Sequence, residues 1–187
     1  MMKRALMLID IQNTFRDGSW GPRNNDSAEE QSARLLAYFR ETKELVIHVN
    51  HISKSPESRF FHQGEGFDFQ DMVRPLEGEL VISKTVNSAF IGTKLKEYLD
   101  DNKVDTLIIA GLTTPHCVST TTRMAGNYGF ATYLVEDATA AFDLRDPKGN
   151  IIPAQTIHEI SLATLHDEFA TIVTTEAVIN EEYSKEI

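Results

Sequence analysis

The chain has 187 residues, 41% of them hydrophobic, which is enough for one sizeable core and not comfortably for two, so a single domain over residues 1–187 is expected. Its formal charge of -10 opposes nucleic acid and anionic membranes as partners and otherwise reads as a device for solubility. The single cysteine cannot close an internal disulfide, which points to a reducing, cytoplasmic compartment.

Residues 1–10 carry two basic side chains and a short apolar run without a small-residue cleavage pattern, so they are read as a first strand and not as a leader. Runs rich in Val, Ile and Leu predict six strands, over 5–11, 44–51, 79–85, 105–112, 132–136 and 171–174. Several are apolar on both faces, as when helices cover both sides of a parallel sheet. Helical spacing of apolar residues predicts helices over 27–43, capped by Asp26 or Ser27, and over 91–102. Two more, each starting with proline, are predicted over 115–127 and 153–165. The alternation implies a doubly wound, three-layer α/β/α fold. The stretches 17–25 and 53–78 have no clean period and are expected to be long loops, serving either as lids or pocket walls or as disordered or oligomer-contacting segments. No run approaches the ~20 apolar residues that a bilayer crossing needs.

In an open parallel sheet ligands sit beyond the carboxyl ends of the strands, so the residues that close each run carry the functional signal. Asp10 closes the first, Lys84 the third, and Cys117 follows the fourth by a short turn. Singly, each has an ordinary explanation: a turn former, a solvated edge charge, a small buried hydrophobe. The segment from Gly111 to Thr120 changes that balance. Pro115 suits the first helical position and Thr114 the N-cap, which puts Cys117 in a first turn where amide hydrogens are free. Such a site favours a thiolate, and a nearby Lys84 would favour it further, so a lowered cysteine pKa is expected. The Cys117 amide and one from the preceding turn would serve as an oxyanion hole.

Three segments, Asp10-Ile-Gln-Asn-Thr-Phe15, Ser83-Lys84-Thr-Val-Asn-Ser-Ala-Phe90 and Gly111-Leu-Thr-Thr-Pro-His-Cys117-Val, together resemble the isochorismatase-like cysteine hydrolases of the nicotinamidase and isochorismatase superfamily. The similarity continues through Thr120-Thr-Thr-Arg-Met-Ala125 and the 157–165 helix. It implies a Rossmann-like, six-stranded parallel sheet with the first and fourth strands adjacent, and a catalytic triad of Asp10, Lys84 and Cys117. It also implies a cis peptide at Leu112–Thr113, with the Thr113 and Cys117 amides as the oxyanion hole. The implied chemistry is hydrolysis of a small amide through a cysteine thioester, and a homo-oligomer, dimer or larger, is implied with it.

The nicotinamidases of this superfamily hold a metal with an aspartate and histidines after the second strand. Here His48-Val-Asn-His51 offers Asn50 instead of an aspartate, and strand alternation sends His48 and His51 to opposite faces, so neither a metal nor another cofactor is expected. Phe15, Trp20, Phe60, Phe67 and His116 are candidate pocket residues, and Arg123, nearly two turns beyond Cys117, is expected in a structural ion pair. Three competing functions are weighed. Vinyl ether cleavage needs no sulfur nucleophile; a redox-sensing thiol would want a resolving cysteine; a nucleotide-binding module would want a glycine-rich loop after the first strand.

Overall fold

The computed structural model describes residues 3–183. In chain order it contains β1 (Arg4–Ile9), α1 (Ala28–Glu41), β2 (Leu45–His51), β3 (Leu80–Lys84), α2 (Leu95–Asp101) and β4 (Thr106–Leu112). A short π-helix, Thr114–Val118, leads into α3 (Ser119–Asn127). There follow β5 (Ala131–Ala140), a ribbon of β6 (Leu144–Arg145) and β7 (Ile151–Ile152), α4 (Ala154–Ala163), β8 (Thr171–Val173) and α5 (Thr175–Ile179).

Six strands form one parallel sheet in the order β3-β2-β1-β4-β5-β8. Side chains alternate along each strand, so one sequence supplies two cores. Met7, Ile9, Ile47, Val49, Leu107 and Ile109 face α2, α3 and α4, while Leu6, Leu8, Val46 and Ile108 meet Leu35, Leu36 and Phe39 of α1 and Val178 of α5. This is the three-layer arrangement that the apolar runs predict. β1 and β4 are neighbours, and the chain leaves β1 in one direction along the sheet and returns to β4 on its other side, which makes their carboxyl ends the topological switch point. None of the described helices is long and apolar enough to cross a membrane.

Most boundaries shift by a residue or two from the sequence reading; three differences and one missed helix have local reasons. β1 stops at Ile9 and not at residue 11, because Asp10 takes a left-handed φ of 53°, a conformation that aspartate tolerates better than most residues. α2 begins at Leu95 and not at 91, because Gly92 with φ 70° turns the chain first. β5 runs on to Ala140 although Glu136, Asp137 and Thr139 interrupt its apolar pattern: its register against β4 shifts between Ile109 and Gly111, and its polar groups are used locally. Asp137 Oδ1, for example, accepts the Thr175 amide at 2.8 Å. α5 is the missed helix; its first capping group, Thr174, was absorbed into the preceding strand, yet its hydroxyl accepts the Ala177 amide at 3.2 Å.

Gly111 pairs with Ile9 across the switch point at φ 126°. A Cβ there would lie 2.1 Å from the Ile9 carbonyl oxygen, so only glycine lets β4 approach the strand end that carries Asp10.

Candidate active site

Because the sheet is parallel, β1, β2, β3 and β4 all deliver their last residues to one edge. Asp10 follows β1, His51 ends β2, Lys84 ends β3, and Cys117 sits in the π-helix after β4. Lys84 Nζ lies 2.6 Å from Asp10 Oδ2, 3.1 Å from His51 Nδ1 and 3.3 Å from Cys117 Sγ. An ammonium has three hydrogens, and here each has its own acceptor. Both members of the Lys84–Asp10 ion pair are buried. Removing two charges from water costs several kcal/mol per ion, which good pairing and further hydrogen bonds offset. One acceptor remains unused: Asp10 Oδ1 is buried without a hydrogen-bond partner.

The electrostatics correct one expectation. Cys117 is not a preformed thiolate: its pKa is pushed up to about 12, first by burial and then by the Asp10 carboxylate, with Lys84 pulling the other way. The depth of the sulfur and its contact with a buried carboxylate outweigh what a helix start offers, and the sequence reading had access to neither. Asp10 is itself raised, by burial, against the lowering effect of Lys84. His51 falls to about 4 through burial and then the Lys84 charge, so it is neutral near pH 7. Since its Nδ1 accepts from the ammonium, its proton resides on Nε2.

His51 was missed as a site residue. The signal was available: it closes the second strand, just as Asp10 and Lys84 close theirs. Gln12 fixes it there, accepting the His51 amide at 2.8 Å and donating to the His51 carbonyl at 3.1 Å and the Phe67 carbonyl at 2.7 Å. The two histidines of β2 do part company. His48 is buried against Phe69 with Nε2 2.8 Å from Glu79, while His51 lies against Phe60 at a ring distance of 4.8 Å.

The turn before the sulfur is also redistributed. Thr113, not Thr114, is the N-cap, and neither residue's hydroxyl caps the helix. Thr113 Oγ1 lies 2.9 Å from His116 Nδ1, and Thr114 Oγ1 lies 2.9 Å from His158 Nδ1. The Leu112–Thr113 peptide is cis. Among the described residues the Thr113 amide donates to no backbone carbonyl outside regular elements, and the Cys117 amide to none beyond its own helix.

Phe15, Trp20 and Phe60 form an aromatic wall together with Phe142, which the sequence reading overlooked; Phe15 is 4.8 Å from Trp20 and 6.0 Å from Phe142 between ring centroids. The Phe67 ring pairs with none of these, and its carbonyl is held by Gln12 at 2.7 Å. Arg123 is corrected, since it donates to Thr164 at 2.9 Å and covers the Phe169 ring at 4.8 Å without meeting a carboxylate among the described residues. A cavity of about 340 Å³ opens between Trp20, Arg59, Thr113, His116, Phe142 and Leu144. A larger hollow, about 680 Å³, lies at the opposite edge of the sheet beside Lys3, Glu44 and Tyr183 and contains none of the groups above.

A family model for the isochorismatase domain matches residues 4–177. The chain belongs to the isochorismatase family. It is 54% identical to the isochorismatase family protein YrdC of Bacillus subtilis over 96% of either chain. It is also similar to an isochorismatase-family protein of Chromobacterium violaceum, whose crystal structure superimposes with a TM-score of 0.93 at 40% identity, covering 95% of this chain and 92% of that one. Further away, it is 28% identical to a maleamate amidohydrolase of Pseudomonas putida, covering 82% of this chain and 84% of the relative. As an isochorismatase-family hydrolase it presents one donor set that invites a metal, since atoms of Asp10, His51 and Cys117 lie within 4.8 Å of one another. That set does not fit one: all three donors already converge on the Lys84 ammonium, and a dication among them would face a buried cation.

Proposed function

We propose that this chain hydrolyses the C–N bond of a small amide through a thioester on Cys117. The observation that carries the reading is the convergence of Asp10, His51 and Cys117 on one buried ammonium. A thiol with a pKa near 12 is a poor nucleophile unless a base removes its proton as it attacks, and the unpartnered Oδ1 of Asp10 is the acceptor available for that step. Sulfur adds to the amide carbonyl, and the tetrahedral oxyanion is held by the Thr113 and Cys117 amides, whose hydrogens are free of acceptors outside their own segment. Asp10 returns its proton to the departing nitrogen, the C–N bond breaks, and ammonia or an amine leaves. Water then gives a proton to Asp10 and attacks the thioester; the acid departs and the proton returns to sulfur. Throughout, Lys84 offsets the negative charge that moves between carboxylate and sulfur, and His51 fixes its orientation. The likeness to a maleamate amidohydrolase supports an amide over a vinyl ether.

The test is a panel of small amides assayed for ammonia release. Wild-type protein is expected to turn over at least one member, and Cys117→Ala is expected to lose about a thousandfold or more in rate with an unchanged melting temperature. Wild-type rates from the alanine variant would refute the mechanism.

A further inference from the structure

The cavity beside the nucleophile has a single cationic side chain on its wall, Arg59, from the long loop after β2. Its guanidinium carbon rests 4.3 Å from the Trp20 ring centroid, and Nη2 donates to the Ser19 carbonyl at 3.2 Å. Stacked in this way, the planar group is held in place while most of its five N–H donors stay free. Among the described residues no carboxylate lies within ion-pair distance of it; Asp17 feels its charge only at longer range. The one acid on the same wall, Asp143, accepts the Ala154 amide at 2.7 Å through Oδ1 where α4 begins and forms no ion pair with Arg59. His116, next to Cys117 in the chain, and Thr113, at the cap of the same turn, border this cavity, which puts it within reach of the rest of a small molecule whose carbonyl meets the sulfur. The volume, about 340 Å³, suits a small molecule.

We propose that the substrate is an amide bearing a carboxylate at its far end, and that Arg59 is the residue that receives it. The deduction rests on the amide reading for the chemistry but not for the binding. With a formal charge of -10 the protein as a whole repels anions, so an anionic substrate needs a local cation, and a guanidinium presents the paired donors that match a carboxylate. His116 adds no competing charge, because burial pulls its pKa down and leaves it neutral near pH 7. Trp20 beneath the guanidinium is the only tryptophan of the chain, so its emission reports on this site alone.

The experiment uses full-length Cys117→Ala, which binds without turnover, and the same chain with Arg59→Gln. Both are titrated with succinamate, an amide ending in a carboxylate, and with succinamide, its neutral counterpart, while Trp20 fluorescence is followed. Succinamate is expected to give a saturable change and to bind about tenfold or more tighter than succinamide, and Arg59→Gln is expected to abolish that preference without weakening succinamide. Equal binding of the two probes, no saturable response to succinamate, or a preference that survives Arg59→Gln would each overturn the proposal. Ammonia release from wild-type protein is measured on both probes in parallel. Preferential binding with no ammonia released from these probes or from any amide of the panel sinks the amide chemistry and leaves the carboxylate site standing; release without preference does the reverse.

Discussion

Asp10→Asn is expected to move two rates in opposite directions. Hydrolysis falls about a thousandfold, because the carboxamide cannot take the proton that sulfur must lose, and proton transfer by a positioned base contributes on that scale. Alkylation of Cys117 by iodoacetamide rises. In the wild-type protein the thiol titrates near 12 and the Asp10 charge is among the causes, whereas Lys84 acts to lower it. Removing the carboxylate therefore lets the thiol pKa drop. At pH 8 a thiol with that pKa is ionised to about one part in ten thousand, so even a modest drop speeds alkylation several-fold. The backbone is spared, since asparagine accepts the left-handed φ of 53° at least as well as aspartate does. A variant in which alkylation and turnover slow together would mean that Asp10 promotes a standing thiolate, and the general-base assignment would be wrong.

Lys84→Met is expected to cost both activity and fold stability. The methionine fills a similar volume but leaves Asp10 buried without its partner, and breaking a buried pair from one side typically costs about 3–5 kcal/mol. The loss should depend on pH with a definite sign. Burial already holds the Asp10 pKa above its ordinary value, and Lys84 opposes that rise, so removing Lys84 raises it further. A carboxyl whose folded pKa exceeds its unfolded one binds more protons when folded; the variant is therefore most stable at low pH and loses stability as pH rises through the folded value. Adding Asp10→Asn removes the charge and should restore most of the stability without restoring turnover. Denaturant unfolding at pH 5 and pH 8 for the four proteins of this cycle checks the claim, and additive single-variant losses would show that the pair is not coupled.

How much of this was legible in the sequence follows from what each feature depends on. Strands such as Thr106–Leu112 are continuous apolar runs, and a run of that kind needs two covered faces whatever surrounds it. The strand-end rule points to Asp10, Lys84 and Cys117, because position in a parallel sheet dictates which edge a terminal residue reaches. His51 obeys the same rule and was passed over only because its neighbours raised the question of a metal. Properties set by depth were not legible. The sign of the Cys117 shift reverses because the sulfur is buried and, next, because it lies beside the Asp10 carboxylate, and neither burial nor that contact is local in sequence. Phe142 joins the aromatic wall just after a strand extension whose polar Glu136 and Asp137 hid it.

The central claim is that the sulfur of Cys117 takes the acyl group. Its most direct measurement is rapid acid quenching of wild-type protein with an amide that it turns over, followed by intact and peptide mass spectrometry. The account predicts a transient gain equal to the acyl fragment, confined to the peptide that carries Cys117. Steady release of ammonia with no acylated protein at any quench time, matched by the same release from Cys117→Ala, would contradict it.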